Sequence, residues 1–121
     1  MEFKVVQKEI QLQSRGWIPT FHDISTDVMK IVAEPSELIG TGVSVGPEYV
    51  EAATKSVKDV DPGILVLTAA GISNGTDVYN TIIAGADATG SSSGVTKAAD
   101  RAAMVDEMIA AVRRGWNERH N

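Results

Sequence analysis

The sequence has no cysteine, which removes disulfide staples and thiolate metal ligands together. No apolar run approaches the ~20 residues needed to cross a bilayer. The first residues, Met1-Glu2-Phe3-Lys4, do not have the charged-then-apolar layout of a secretion signal. A basic footprint of the kind that binds nucleic acid is also missing, since the formal net charge is −5. Arginines gather only as Arg113, Arg114 and Arg119, near the end of a predicted helix, where cations answer the negative end of the helix dipole. These absences describe a cytoplasmic, soluble protein with no metal, no cofactor, no nucleic-acid partner and no membrane partner. What remains is 121 residues, 43% hydrophobic and 22% charged, the composition of one ordinary globular domain.

Residues 1–27 are irregular. Lys4 to Arg15 is polar with scattered aliphatics and fits a helix ending near Gly16. Trp17 to His22 has strand-like residues, but Pro19 restricts it to an edge strand or an extended segment. From Val28 the pattern is regular. Val28 to Ala33 reads as a buried strand. Pro47 opens a helix at a position where its missing N–H costs nothing, and Val50, Ala53, Val57 and Val60 give that helix one buried face. Asp61-Pro62-Gly63 is a turn, and Ile64 to Leu67 is a strand covered on both faces. A short helix runs from Thr76 or Asp77 to Ile83 and stops at Gly85. Ala86 to Ser92 would be a third strand, although Asp87 to Ser91 contains no large aliphatic residue. A last helix, about Ala98 to Trp116, carries Met104, Val105, Met108, Ile109, Val112 and Trp116 as its apolar stripe. His120, one residue from the end, is expected to be unordered. This alternation means an α/β protein with a parallel sheet and right-handed crossovers. A sheet of three or four such strands leaves its edges unpaired, so self-association is expected.

The chemistry-bearing stretch is Ala33 to Gly42, A-E-P-S-E-L-I-G-T-G. Glu34 ends the first regular strand, Pro35 stiffens one side of the following loop, and Gly40 and Gly42 loosen the other. A carboxylate at a strand's C-terminal end, beside a loop with two unlike hinges, suits a general base under a closing lid. Read alone, Glu34 is more simply a solvated strand-end glutamate, since strand-end carboxylates are common. Gly71, and the pair Ser92-Ser93, stand in glycine- and serine-rich loops before helices, where free amides and the helix dipole favour anions. Such loops can also be merely flexible. The spacing Gly40-x-Gly42-x-x-x-Gly46 is not a dinucleotide fingerprint, because the glycines follow the strand too late and no acidic residue ends the next strand.

E-P-S-E-L-I-G-T-G resembles the flexible-loop motif of triose-phosphate isomerase, in particular the archaeal form E-P-P-E-L-I-G-T-G. Ala69-Ala70-Gly71-Ile72-Ser73 is similar to the archaeal G-A-G-I-S, and Ser92-Ser93-Gly94-Val95-Thr96-Lys97 to A-S-G-V-x-K, in family order. The resemblance covers only the C-terminal half of that enzyme. It implies a partial (β/α)8 barrel: a half-barrel of three to four parallel strands with flanking helices over residues 28–121, preceded by a truncated lead-in over 1–27. It implies Glu34 as the base that moves a proton between adjacent carbons. It implies Ile39 and Gly40 as lid contacts to substrate, and Gly71, Ser92 and Ser93 as phosphate-binding positions. The substrate implied is a small phosphorylated metabolite, a triose phosphate, in glycolysis or gluconeogenesis. The family also needs a lysine in Asn-x-Lys and a histidine electrophile, and neither motif is present. His22 falls on the strand after the histidine-bearing one and reads as incidental. Full isomerase activity would therefore require a complementary half-barrel chain, and the isolated chain would be weak or inactive; homo-oligomerisation is the other way to cover the open edges. The alternatives are a catalytically inactive phosphate- or protein-binding half-barrel module, or a truncated remnant.

Overall fold

The computed structural model describes residues 46–69 and 71–121, together with the backbone of 19–23 and 28–32. The elements follow in the order β1 (Pro19–Asp23), β2 (Val28–Val32), α1 (Pro47–Val60), β3 (Leu65–Leu67), α2 (Gly75–Ile83), α3 (Ser93–Thr96) and α4 (Arg101–Arg119). Four residues separate β1 from β2, too few for a parallel crossover. The two strands accordingly pair antiparallel, with His22 opposite Met29 and Asp23 opposite Val28. The expectation of three to four parallel strands is corrected here: the front strand runs against the rest. After α1 the chain returns as β3, parallel to β2, with Lys30, Ile31 and Val32 beside Leu65, Val66 and Leu67. The sheet order is β1-β2-β3.

The strand expected over residues 86–92 is reduced to one parallel bridge, Leu67 to Ala88. Without large side chains this segment has little to bury, and it is held by other means. The Asp87 and Ala88 amides donate to the Val66 carbonyl at 2.9 and 3.2 Å, and the Thr68 amide donates to the Ala88 carbonyl at 3.2 Å. The Thr89 hydroxyl donates to the Thr68 carbonyl at 2.7 Å.

Strand alternation sends Ile64 and Val66 toward α1, where they are buried with Ala53 and Val57. Leu65 takes the other face and is 36% exposed. A second cluster joins α2 and α4 through Ile72, Val78, Ile82 and Ala111, and a third ties Val50 of α1 to Ala84 and Ala86.

The helix ends follow local chemistry. Pro47 occupies the first turn of α1, as its position predicts. Asn74 caps α2 by accepting from the Asp77 amide at 2.9 Å, which starts the helix slightly before the expected Thr76. Asp100 caps α4 through the Ala103 amide at 3.0 Å, so α4 begins after Ala98 and runs past Trp116. Its expected apolar face holds in part, since Met108 and Val112 pack against the α2–α4 core. Ala111 and Gly115 are the buried residues of α4, while Val105, Ile109 and Trp116 are exposed. Small side chains let α4 approach α2 closely, and Val105, Ile109 and Trp116 are carried to the flank. The His120 ring lies 4.0 Å from that of Trp116, and Nδ1 is 2.8 Å from the Trp116 carbonyl.

Tyr79 of α2 donates its hydroxyl to the Glu118 carboxylate of α4, with the Arg114 guanidinium 4.4 Å above its ring. The hydrogen bond to Glu118, then desolvation, then the Glu118 charge push the phenol above its usual 10.0, opposed by Arg114. An acid whose folded-state value is raised contributes stability in full below its unfolded value and loses it as pH rises through the folded value. An absorbance titration in a Tyr49→Phe background is expected to show Tyr79 ionising above pH 10.0. Glu118→Gln is expected to lower that midpoint.

Candidate phosphate-binding loops at the strand ends

Beyond β3 the chain enters a loop that only glycine accommodates well at its turning point. Gly71 has φ 74°, the left-handed region that side chains disfavour. The turn drops Ile72 into the α2–α4 core, where it is 3% exposed, and leaves Ser73 and Asn74 on the surface. Three amides around the start of α2 already face oxygen. Ser73 N–H donates to Asp77 Oδ2 at 2.9 Å, Asp77 N–H to Asn74 Oδ1 at 2.9 Å, and Gly75 N–H to Glu107 Oε2 at 2.6 Å. Two carboxylates therefore occupy this helix N-terminus and answer its dipole. A phosphate placed on it would meet both of them.

The second loop, 89–94, locks onto the first. Ser91 Oγ donates to the Ile72 carbonyl at 2.6 Å. Gly94 lies so close that a Cβ there would stand 2.5 Å from Ser91 Oγ, 2.6 Å from the Ile72 carbonyl oxygen and 3.0 Å from Ser73 Cα. From Ser92 the backbone turns into α3, with Thr96 N–H donating to the Ser92 carbonyl and Lys97 N–H to that of Ser93, both at 2.9 Å. The first amides of a helix have no carbonyl of their own turn to bond, and Ser92 and Ser93 are exposed. Among the described residues no carboxylate is bonded to Ser92, Ser93 or Gly94. Of the two helix starts, this one is chemically open to an anion.

The structure thus brings the Gly71 loop and the Ser92-Ser93 loop together at one end of the sheet. β2 leaves the sheet at that same end, because it is parallel to β3 and Val32 is in register with Leu67. The other three residues singled out, Glu34, Ile39 and Gly40, lie outside the described residues. Sequence reasoning missed Ser91, Gly94 and Glu107. Ser91 and Gly94 fall beside and within the serine-glycine motif, so a signal existed for them. Glu107 caps a helix 32 residues away, and nothing local announces that contact.

No family model matches the chain. Individual proteins do. Over 82 residues it is 40% identical to the triosephosphate isomerase of Methanothermus fervidus, covering 65% of this chain and 37% of that protein. Against the Methanocaldococcus jannaschii enzyme the identity is 42% over 82 residues, with the same shares of 65% and 37%. Against that of Methanobrevibacter smithii it is 45% over 71 residues, 56% of this chain and 32% of the relative. The chain is a partial relative of the archaeal triosephosphate isomerases. It spans well under half the length of the relatives it matches. Among solved structures, a chain of the Amycolatopsis orientalis BexX/CysO complex superposes with a TM-score of 0.59 at 18% identity, covering 77% of this chain and 35% of that one. At that identity the likeness concerns the fold alone. No helix among the described residues is long and apolar enough to cross a membrane.

Proposed function

We propose that this chain is a (β/α) half-barrel of the triosephosphate isomerase kind, which binds a small phosphorylated metabolite at the C-terminal ends of its strands. The carrying observation is the locked pair of loops at that end, in a chain 35–45% identical to these isomerases. Phosphate is held by the amides at Ser92 and Ser93, which supply hydrogen bonds without a cationic side chain, and the Gly71 turn forms the adjoining wall of the site. Glu34 follows β2 by two residues. It acts as the base on the carbon next to the carbonyl, taking a proton there and returning it to the neighbouring carbon. Pro35 to Gly42, with Ile39 and Gly40, closes over the substrate and excludes water.

A base and a phosphate cradle supply only part of the transition-state stabilisation, because charge developing on the substrate oxygen needs its own electrostatic partner. That partner, a lysine and a histidine in the family's pattern, comes from a complementary half-barrel in the soluble cytoplasmic enzyme. The reaction is then interconversion of glyceraldehyde 3-phosphate and dihydroxyacetone phosphate.

Two measurements test this. Thermal unfolding with inorganic phosphate or 2-phosphoglycolate is expected to rise in midpoint with ligand concentration, as preferential binding to the native state requires. Isomerase assay of the chain mixed with a second chain carrying Asn-x-Lys and the histidine is expected to give turnover that the chain alone does not. In that mixture Glu34→Gln is expected to lower kcat by roughly 10²–10⁴, the usual contribution of a positioned general base. No midpoint shift with either ligand and no turnover in the mixture would reject the reading.

A further inference from the structure

On α4, Val105, Ile109, Val112 and Trp116 recur at intervals of four, three and four. That spacing sets the four on one stripe of the helix, the arrangement by which a helix packs lengthwise against another. The stripe facing α2 is centred on Ala111 and Gly115; Val112, at the edge the two stripes share, is half-buried and also packs against the α2–α4 core. Val105 is 40% exposed, Ile109 48% and Trp116 42%. Together with Thr89 and Gly90, the first three seam residues line a groove of about 180 Å³ floored by Val78. Three large apolar side chains on one flank of a helix in a chain of net charge −5 are an unfinished interface.

The charges beside the seam indicate what finishes it. On the opposite flank, Glu107 and Arg114 are used within the chain, on the Gly75 amide and the Tyr79 ring. Asp106 and Arg113, next to the seam and one heptad apart, have no ion-pair or hydrogen-bond partner among the described residues. Both are exposed. If two α4 helices pair antiparallel about a twofold axis between Ile109 and Val112, Ile109 meets the second copy's Val112 and Val105 meets its Trp116. The same operation sets Asp106 against the second copy's Arg113, twice by symmetry. A parallel pair would leave Asp106 and Arg113 on separate flanks of the seam, facing neither each other nor their own copies. We propose that this chain forms a twofold dimer through antiparallel α4 helices, with Asp106–Arg113 contacts fixing the direction. This goes beyond phosphate binding and does not depend on it.

The test is sedimentation equilibrium of the full chain, without ligand, from micromolar to hundreds of micromolar. The wild type is expected to show a concentration-dependent monomer–dimer equilibrium, and Ile109→Arg to abolish it. Asp106→Arg and Arg113→Asp are each expected to weaken association tenfold or more, since each places two like-charge contacts in the interface. The double variant, and an equimolar mixture of the two single variants, are expected to recover association to within a few-fold of wild type. Both recoveries use surface substitutions, so they remain decisive if Ile109→Arg disturbs folding. A monomeric wild type overturns the proposal, whether residues 1–18 or a complementary barrel chain then covers the seam. So do charge-reversed single variants that dimerise unchanged, or swapped pairs that fold by circular dichroism and do not recover. A monomer whose unfolding midpoint still rises with 2-phosphoglycolate rejects the dimer and leaves the phosphate reading standing.

Discussion

Replacing Asp87 with alanine is expected to destabilise the fold by about 2–4 kcal/mol, below the ~3–5 kcal/mol range for a fully buried pair because some solvent reaches it. The carboxylate is 14% exposed and sits between two cations, Lys58 Nζ at 2.7 Å and Arg119 Nη2 at 3.8 Å. It also accepts from the Val66 amide at 3.0 Å, in a strand residue that is 0% exposed. Each cation has further work. Lys58 donates to the Ile64 carbonyl at 2.8 Å, and Arg119 donates to the carbonyls of Ile82 and Ala86 at 2.6 and 2.8 Å. The cluster therefore ties α1, β3, the end of α2 and the end of α4 to the segment whose own ladder is one bridge. Alanine would leave a buried N–H without its acceptor and two cations without their counter-charge. Asparagine keeps one acceptor for Val66 and is expected to cost less, about 1–2 kcal/mol. Urea unfolding checks both. The midpoint should fall with the m-value unchanged, as for a loss of stability without a change in exposed surface.

That cluster marks where sequence reading runs out. Lys58 and Asp87 are 29 residues apart, and no periodicity or motif pairs them. The poverty of Asp87 to Ser91 in aliphatics was legible, and it accounts for the missing strand. Its compensation was not, because side-chain hydrogen bonding to a distant carbonyl leaves no trace in composition. Pro47 was read correctly, since it has no N–H to leave unpaired at a helix start. Asn74 and Asp100, which accept from amides three residues on, were not read, although a cap of that kind is contained in four or five residues. The face of α4 was read only in part, with Met108 and Val112 on the core and Val105, Ile109 and Trp116 exposed, because large apolar residues dominate a periodicity count. The closest helix approach belongs instead to Ala111 and Gly115, whose importance lies in being small. The antiparallel direction of β1 follows from the four residues before β2, since a connection so short excludes the parallel alternative. For the candidate site, Gly71 and Ser92-Ser93 were legible as glycine- and serine-rich loops before helices. Their mutual locking was not, because it depends on where two separate crossovers deliver them.

Gly94→Ala should separate a structural reading of those loops from a ligand-binding one. The added methyl would stand 2.5 Å from Ser91 Oγ and 2.6 Å from the Ile72 carbonyl oxygen. A hydroxyl can rotate away, but the carbonyl belongs to backbone and can yield only if the Gly71–Ser73 turn moves. Overpacking of this kind costs about 1–3 kcal/mol, or a fall in midpoint of roughly 4 °C per kcal/mol for a chain of this size. The Ser91 hydrogen bond to the Ile72 carbonyl would be strained at the same time, so the two loops would part. If Gly71, Ser92 and Ser93 act as one anion cradle, a shift of even part of an ångström between the loops removes several amide contacts at once. The stabilisation by phosphate or 2-phosphoglycolate should then fall by more than the loss of intrinsic stability explains, measured as the ligand-dependent part of the midpoint. Ser91→Ala removes only the Oγ hydrogen bond and leaves space at Gly94. It is expected to cost about 1 kcal/mol and to retain most of the ligand shift. Should both variants keep the wild-type ligand shift, the loops would be locked for stability alone, and the anion would have to bind elsewhere.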